Sequence, residues 1–445
     1  MQNSKYQTSF VFLFILFIYT EATPQTILPP ADCYAILQKQ IINVKDVYIP
    51  NKETKKITGV LPGIEVFLSE KKYYSVVKDA KLGLLTNATG VDRQLQSTID
   101  LLRNRSDFKL IALFSPEHGI RGSLLAGTKI DSSIDSQTGL PVYSLYGKTK
   151  SPTSDMLKNI DYLIIDLQDI GSRSYTYIST MYLAMESCAK NNKGVIVLDR
   201  PNPIGGITLD GPVLEPEFKS FIGIAEIPVV HGMTIAELAL YFNKECNINA
   251  NLLVVPMLNW KRKMIFRDTK LPWVPPSPHI PTPESCFLYP VTGLIGEMKT
   301  LSEGVGTPMP FHLVGAPWID GYTLTNSLPK LPGVMFRPLT VKPFYFRFVG
   351  ESVNGVQIYV KPNEYKPVQT ALYLLYHIKK LWPDKFQWAP EGDTLTLLQV
   401  DRAWGTDMVR KSINEGIKPE KIIESWQSKL TAFQKKRKKY LLYSN

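Results

Sequence analysis

The feature that most restricts the fold is an alternation. Short apolar runs at 81–86, 109–114, 161–167 and 194–198 are separated by segments whose apolar residues recur at helical spacing, at 95–104, 152–158 and 177–191. Strands alternating with helices build βαβ units with right-handed crossovers and a parallel sheet. The run 161–167 is almost continuously apolar, as a strand covered on both faces must be. The pattern continues with a strand at 227–230, a helix at 235–244 capped by Thr234, and a strand at 252–255. Six prolines between Leu271 and Pro283 then make a stiff, extended connection. Beyond residue 287 the character changes: strand-like runs at 345–348 and 356–360 and helices at 369–381 and 419–435 predict an α+β domain. The expected fold class is α/β, a Rossmann-like parallel-sheet domain at 59–286 followed by a smaller α+β domain at 287–445. No internal repeat is present.

Residues 1–22 read as a secretory signal. Lys5 supplies the positive start, 10–19 an apolar run too short to cross a bilayer comfortably, and Thr20-Glu21-Ala22 a small-x-small cleavage site. A polar leader, 23–58, follows. These features predict an exported protein, periplasmic or extracellular, with no stable membrane span once the signal is removed; the alternative reading of the same run is a retained membrane anchor. The net charge of +11 is concentrated in clusters such as Lys261-Arg262-Lys263 and 435–439. No nucleic-acid recognition motif accompanies them, so they read as solvated charge and no nucleic-acid partner is expected. The same field would also suit an anionic substrate or a cell-wall polymer. Cys33, Cys188, Cys246 and Cys286 fit no zinc spacing, and Cys188 reads as a buried small hydrophobe.

Polar groups cluster where the strands end. Asn87 follows the first run, and Ser115-Pro116-Glu117-His118-Gly119 the second. Asp166, Gln168, Asp169 and Arg173 follow the third, Asp199, Arg200 and Asn202 the fourth, and His231 the fifth. In open α/β sheets the crevice beyond the strand C-termini holds the ligand, so such a set points to a polar ligand site. Glu117 is either a general acid or the cap of a turn. Asp166 and Asp169 are either carboxylates that pair with Glu117, as a glycoside hydrolase needs, or ion-pair partners of Arg173 or Arg200. His118 and His231 are open between site and scaffold. The single glycine of Thr86-Asn87-Ala88-Thr89-Gly90 and the lack of a Walker A sequence argue against a nucleotide, no metal spacing exists, and no cofactor is expected. Glu297 and Thr307 bracket the loop Ser302-Glu303-Gly304-Val305-Gly306, which could reach over the crevice as a lid or be a plain turn.

Taken together, several stretches resemble the exo-β-N-acetylmuramidase (NamZ-like) family. They include 84–92, Ser115-Pro116-Glu117-His118-Gly119-Ile120-Arg121-Gly122, 139–147, 166–177, 198–206, 273–278, 301–304 and 315–320. The resemblance covers roughly residues 60–445. It implies a glycoside hydrolase that removes N-acetylmuramic acid (MurNAc) from the non-reducing end of peptidoglycan fragments, muropeptides or disaccharides, in a cleft between two domains. It places Glu117 on the family's proposed catalytic glutamate; His118, Asp166 and Asp169 remain catalytic candidates from the reading of the strand ends. Asn87, Arg121, Gln168, Arg173, Tyr175, Arg200, Asn202, His231 and Glu303 become candidate substrate contacts. The chain departs from the family pattern at His279, where Asn is usual, and at Val305, where Arg is usual. Muramic acid carries a lactyl carboxylate, and Arg121, Arg173 and Arg200 are candidates to clamp it. Tyr175, Tyr177 and Trp318 could stack on sugar faces or pack. Two other readings use the same crevice: a wall- or sugar-binding protein without turnover, and a nucleotide-dependent transferase, which lacks a phosphate loop.

Overall fold

Residues 58–121, 132–393 and 397–445 are described by the computed structural model. The signal-like segment, nearly all of the leader and Cys33 lie outside the described residues. The strands are β1 (Lys81–Thr86), β2 (Lys109–Ser115), β3 (Ser133–Ile134), β4 (Pro141–Ser144), β5 (Tyr162–Asp166), β6 (Gly194–Leu198), β7 (Asp210–Val213), β8 (Pro228–Val230) and β9 (Asn251–Val255). Seven of them form one sheet in the order β3-β4-β2-β1-β5-β6-β9, parallel throughout except at the β3–β4 edge. The remaining two, β7 and β8, pair antiparallel beside it.

The apolar strands divide their side chains between two cores. Leu163, Ile165, Val195 and Val197 face one side with the helices Tyr177–Lys190 and Ile235–Glu245. Tyr162, Ile164, Ile196 and Leu198 face the other with the helices Gly63–Ser69 and Thr98–Arg103. The period of two along each strand thus becomes a three-layer sandwich, and an unbroken apolar run is what such a strand requires. Thr234 caps the helix Ile235–Glu245 through a full capping box with Glu237.

The second half adds β10 (Leu313–Ala316), β11 (Val334–Val341) and β12 (Val353–Val360), an antiparallel sheet in the order β10-β12-β11. The helices Pro367–Leu381 and Pro419–Arg437 complete it. One apolar core runs from Leu85 in the first half through Phe311 and Val356 to Phe433 in the second. The expected strand at 345–348 does not form. Phe346 and Phe348 sit at φ +68° and +57°, and left-handed residues cannot continue an extended ladder. The segment is instead a loop packed against Gly306, where a Cβ would lie 1.9 Å from the Tyr345 carbonyl oxygen.

No helix of the described residues is long and apolar enough to cross a membrane. Cys188, Cys246 and Cys286 are unpaired, and Cys188 is fully buried.

Candidate active site

Sheet order reverses between β1 and β5, the place where an open α/β sheet ordinarily leaves a ligand crevice. Here side chains fill it. Arg200 clamps Asp166 with two hydrogen bonds, Nε to Oδ1 at 2.5 Å and Nη2 to Oδ2 at 2.8 Å, and Thr98 Oγ1 donates to Oδ2 at 2.5 Å. Asn87 donates to the Tyr177 hydroxyl at 2.7 Å, and Tyr177 donates to the Pro276 carbonyl. The space left beside Arg200 and Gln168 is about 20 Å³, room for roughly one water.

The large cavity, about 780 Å³, opens beyond the end of β2. Its first wall is built on a tight turn. The Gly119 N–H donates to the Pro116 carbonyl, and His118 and Gly119 both adopt positive φ, at +71° and +76°. That turn directs Glu117 and His118 into the cavity. Thr176, the residue that opens the helix Tyr177–Lys190, donates its hydroxyl to Glu117 Oε2 at 2.7 Å. Tyr146 also hydrogen-bonds Glu117, and its own hydroxyl is held protonated by burial and by the two acids Glu117 and Glu297.

Further lining comes from the second half. The helix Pro283–Leu288 runs into a π-turn, Tyr289–Gly293, and then a short helix, Leu294–Gly296. Pro290 lies inside that π-turn, where its missing N–H and its ring disfavour regular α-helix pairing. The detour presents Tyr289, Gly293, Gly296, Glu297 and Lys299 to the cavity. Burial pushes the Glu297 carboxyl up to about 7, with Glu303 nearby adding to the shift and a hydrogen bond from Gln399 opposing it. Glu303 pairs with Arg347 at 2.5 Å, close against Gly296, where a Cβ would sit 2.9 Å from the Glu303 carboxyl carbon. Arg347 donates further to the carbonyls of Leu301 and Gly296. Six aromatic rings line the same space: Tyr146, Tyr175, Tyr289, Phe311, Tyr345 and Phe346. His279 bonds the Tyr345 hydroxyl at 2.7 Å. Polar groups among aromatic faces form the kind of lining that sugar recognition uses.

The profile of the exo-β-N-acetylmuramidase NamZ N-terminal domain matches residues 82–284, and that of the C-terminal domain matches 287–443. The chain belongs to the NamZ exo-β-N-acetylmuramidase family. It is 48% identical over 394 residues to the peptidoglycan β-N-acetylmuramidase NamZ of Bacillus subtilis strain 168, covering 88% of this chain and 93% of that protein. Two crystal structures of DUF1343-family proteins from Bacteroides fragilis share the fold. One has a TM-score of 0.80 at 42% identity, covering 86% of this chain and 99% of the other. The second has a TM-score of 0.67 at 30% identity, covering 87% and 100%. The protein is a glycoside hydrolase of this family, and the α/β architecture with a smaller antiparallel-sheet part is the family's.

Of the residues singled out from sequence, the structure brings Glu117, His118, Tyr175 and Glu303 to the cavity. The other catalytic and substrate-contact candidates lie elsewhere. Asp166 and Arg200 hold each other, and Asn87 braces Tyr177 and Thr89. Gln168 bonds the carbonyls of Asp169 and Pro201, and Asn202 that of Met233. Arg173 is fully buried and ties the carbonyls of Pro212 and Ile227 to that of Ala403 in the second half. Asp169 and His231 lie buried 3.7 Å apart, the carboxyl pushed up to about 7 by desolvation and the imidazole down to about 3, chiefly by burial. Arg121 is exposed and pairs with Asp135 at 2.8 Å. Trp318 packs on Trp382, and Tyr177 is fully buried. Val305 and His279, the two departures, both line the cavity.

Sequence reasoning did not identify Glu297 as a chemical group. The only signal was local: a proline inside an otherwise helical pattern, followed by two glycines and an acid. Among the described residues no cluster of three His, Cys, Asp or Glu side chains could hold a metal.

Proposed function

We propose that this protein is an exo-acting β-N-acetylmuramidase. It cleaves the β-1,4 bond joining a non-reducing-end MurNAc to N-acetylglucosamine (GlcNAc) in peptidoglycan fragments. The reaction takes place in the cavity between the two halves, after export directed by residues 1–22. The observation that carries this reading is a pair of glutamates, one from each half of the chain, that line one aromatic cavity, Glu117 and Glu297. Glycoside hydrolysis needs two such carboxyl groups, one to protonate the leaving oxygen and one to act at the anomeric carbon. The substrate class comes from the peptidoglycan-cleaving relative in B. subtilis.

Within the pair the roles follow from surroundings. Glu297, whose proton is retained to about pH 7, protonates the bridging oxygen as GlcNAc departs. Glu117, oriented by the Thr176 and Tyr146 hydroxyls, acts at the anomeric carbon, directly or through water. Water supplies the hydroxyl of the released MurNAc, and its second proton restores the acid. This arrangement transfers the acid role from Glu117, the sequence candidate, to Glu297. Asp166 and Asp169 then serve the scaffold.

The test is release of free MurNAc from MurNAc-β-1,4-GlcNAc, followed by mass spectrometry. Turnover by the wild type supports the reading. Binding of the disaccharide without release would replace it with a sugar-binding function.

A further inference from the structure

Resting on the muramidase reading, we propose that Lys299 is the residue that recognises the lactyl carboxylate of the terminal sugar. The cavity carries three carboxyl groups, Glu117, Glu297 and Glu303, and even with Glu297 holding its proton as the proposed acid, an anionic substrate meets the repulsion of the other two. Two cationic side chains other than histidines line the same space, Lys299 and Arg347. Arg347 is spent. Its guanidinium is held by Glu303, by two carbonyls and over the Phe346 ring at 5.2 Å. The arginines that composition would offer for the task are committed too. Arg173 and Arg200 are buried behind the cavity in bonds to the protein, and Arg121 pairs with Asp135 outside it.

Lys299 differs on each count. It is exposed at the cavity, and its ammonium makes no hydrogen bond or ion pair with any described residue, although its field reaches Glu297. Its backbone adds a second observation. Lys299 has φ +62° and closes the short helix Leu294–Gly296 through an N–H bond to the Gly296 carbonyl. Glycine ordinarily takes such a left-handed position, and a lysine there costs backbone energy. Strain of this kind collects at functional positions, and here it keeps a long cation beside the proposed acid. A flexible ammonium suits a carboxylate that hangs on a rotatable ether rather than on the rigid ring.

The experiment compares wild type, Lys299→Gln, Lys299→Arg and Lys299→Gly in the full chain. Lys299→Gly suits the φ of +62° and removes the ammonium without straining the turn. Calorimetry measures binding of β-methyl MurNAc and of its lactyl methylamide, which lacks the charge. Turnover of MurNAc-β-1,4-GlcNAc is measured beside it. Wild type is expected to bind the free acid at least about tenfold more tightly than the amide, a difference of roughly 1.4 kcal/mol. Lys299→Gln and Lys299→Gly are expected to lose that preference, with amide binding unchanged, and Lys299→Arg to keep most of it. Equal discrimination in wild type and Lys299→Gly overturns the proposal, as does a wild type that does not discriminate. Discrimination that depends on Lys299 without MurNAc release supports the site and removes the hydrolase reading. MurNAc release with discrimination independent of Lys299 does the reverse.

Discussion

Strands β2 and β5 lie one strand apart in the sheet, and each ends near a pair of polar, chemistry-bearing residues, yet the ends of the two strands serve different purposes. After β2, the Pro116–Gly119 turn carries Glu117 out to a cavity walled by the second half of the chain. After β5, Asp166 meets Arg200 and Thr98 at once, and Asp169 turns into the core beside His231. The difference lies in what stands opposite. A buried cation consumes Asp166, whereas hydroxyls orient Glu117 and leave it facing the cavity. The place of a carboxylate at a strand end therefore does not decide its role; the partner across from it does.

Four substitutions sharpen or break this contrast. The largest effect on activity is expected from Glu297→Gln, a loss of about 10²–10⁴-fold in kcat on MurNAc-β-1,4-GlcNAc. An aryl glycoside whose leaving group needs no protonation should keep most of its rate. Because the folded-state pKa of Glu297 is raised to about 7, its acid form dominates below that pH. Wild-type kcat/KM on the disaccharide is therefore expected to fall as pH rises through about 7, and the residual activity of Glu297→Gln on the same disaccharide should lack this limb. An unchanged limb would remove Glu297 from the acid role.

Asp166→Asn tests the other strand end. Removing one partner of a buried ion pair costs about 3–5 kcal/mol, so thermal or urea unfolding should show a large loss of stability. The protein that remains folded should turn over at close to the wild-type rate. A catalytic collapse with intact stability would return Asp166 to the site.

Thr176→Val removes one hydroxyl from Glu117 and should lower kcat about tenfold, the worth of one hydrogen bond to a carboxyl group, with little change in melting temperature. Arg121→Ala is expected to do least. Arg121 is exposed, and Asp135, though buried, keeps its bonds from the Thr138 N–H and hydroxyl, so losing Arg121 should cost about 1 kcal/mol or less, a contrast with the buried Arg200–Asp166 pair that a side-by-side melt would show.

Much of the first half was legible because its periodicity is local. The runs 81–86 and 194–198 coincide with β1 and β6, and the helix after Thr234 starts at its capping box. Glu117 was legible because a strand, a proline and a glycine frame it. The lining from the second half was not. Glu297 reaches the cavity through a π-turn whose course depends on Pro290 and on packing of Tyr289 against Phe311 and Tyr175, contacts distant in sequence. The segment 345–348 has the composition of a strand, but Gly306 admits its backbone as a loop and Arg347 is drawn to Glu303. The ion pair between Arg200 and Asp166 was one of two alternatives in the sequence, and only the sheet register brings the two together.

The most direct measurement is kcat of Glu117→Gln against wild type, on MurNAc-β-1,4-GlcNAc and on an activated aryl MurNAc glycoside. The account predicts a fall of at least about 10²-fold on both substrates with an unchanged melting temperature. Wild-type turnover by Glu117→Gln on either substrate would contradict it.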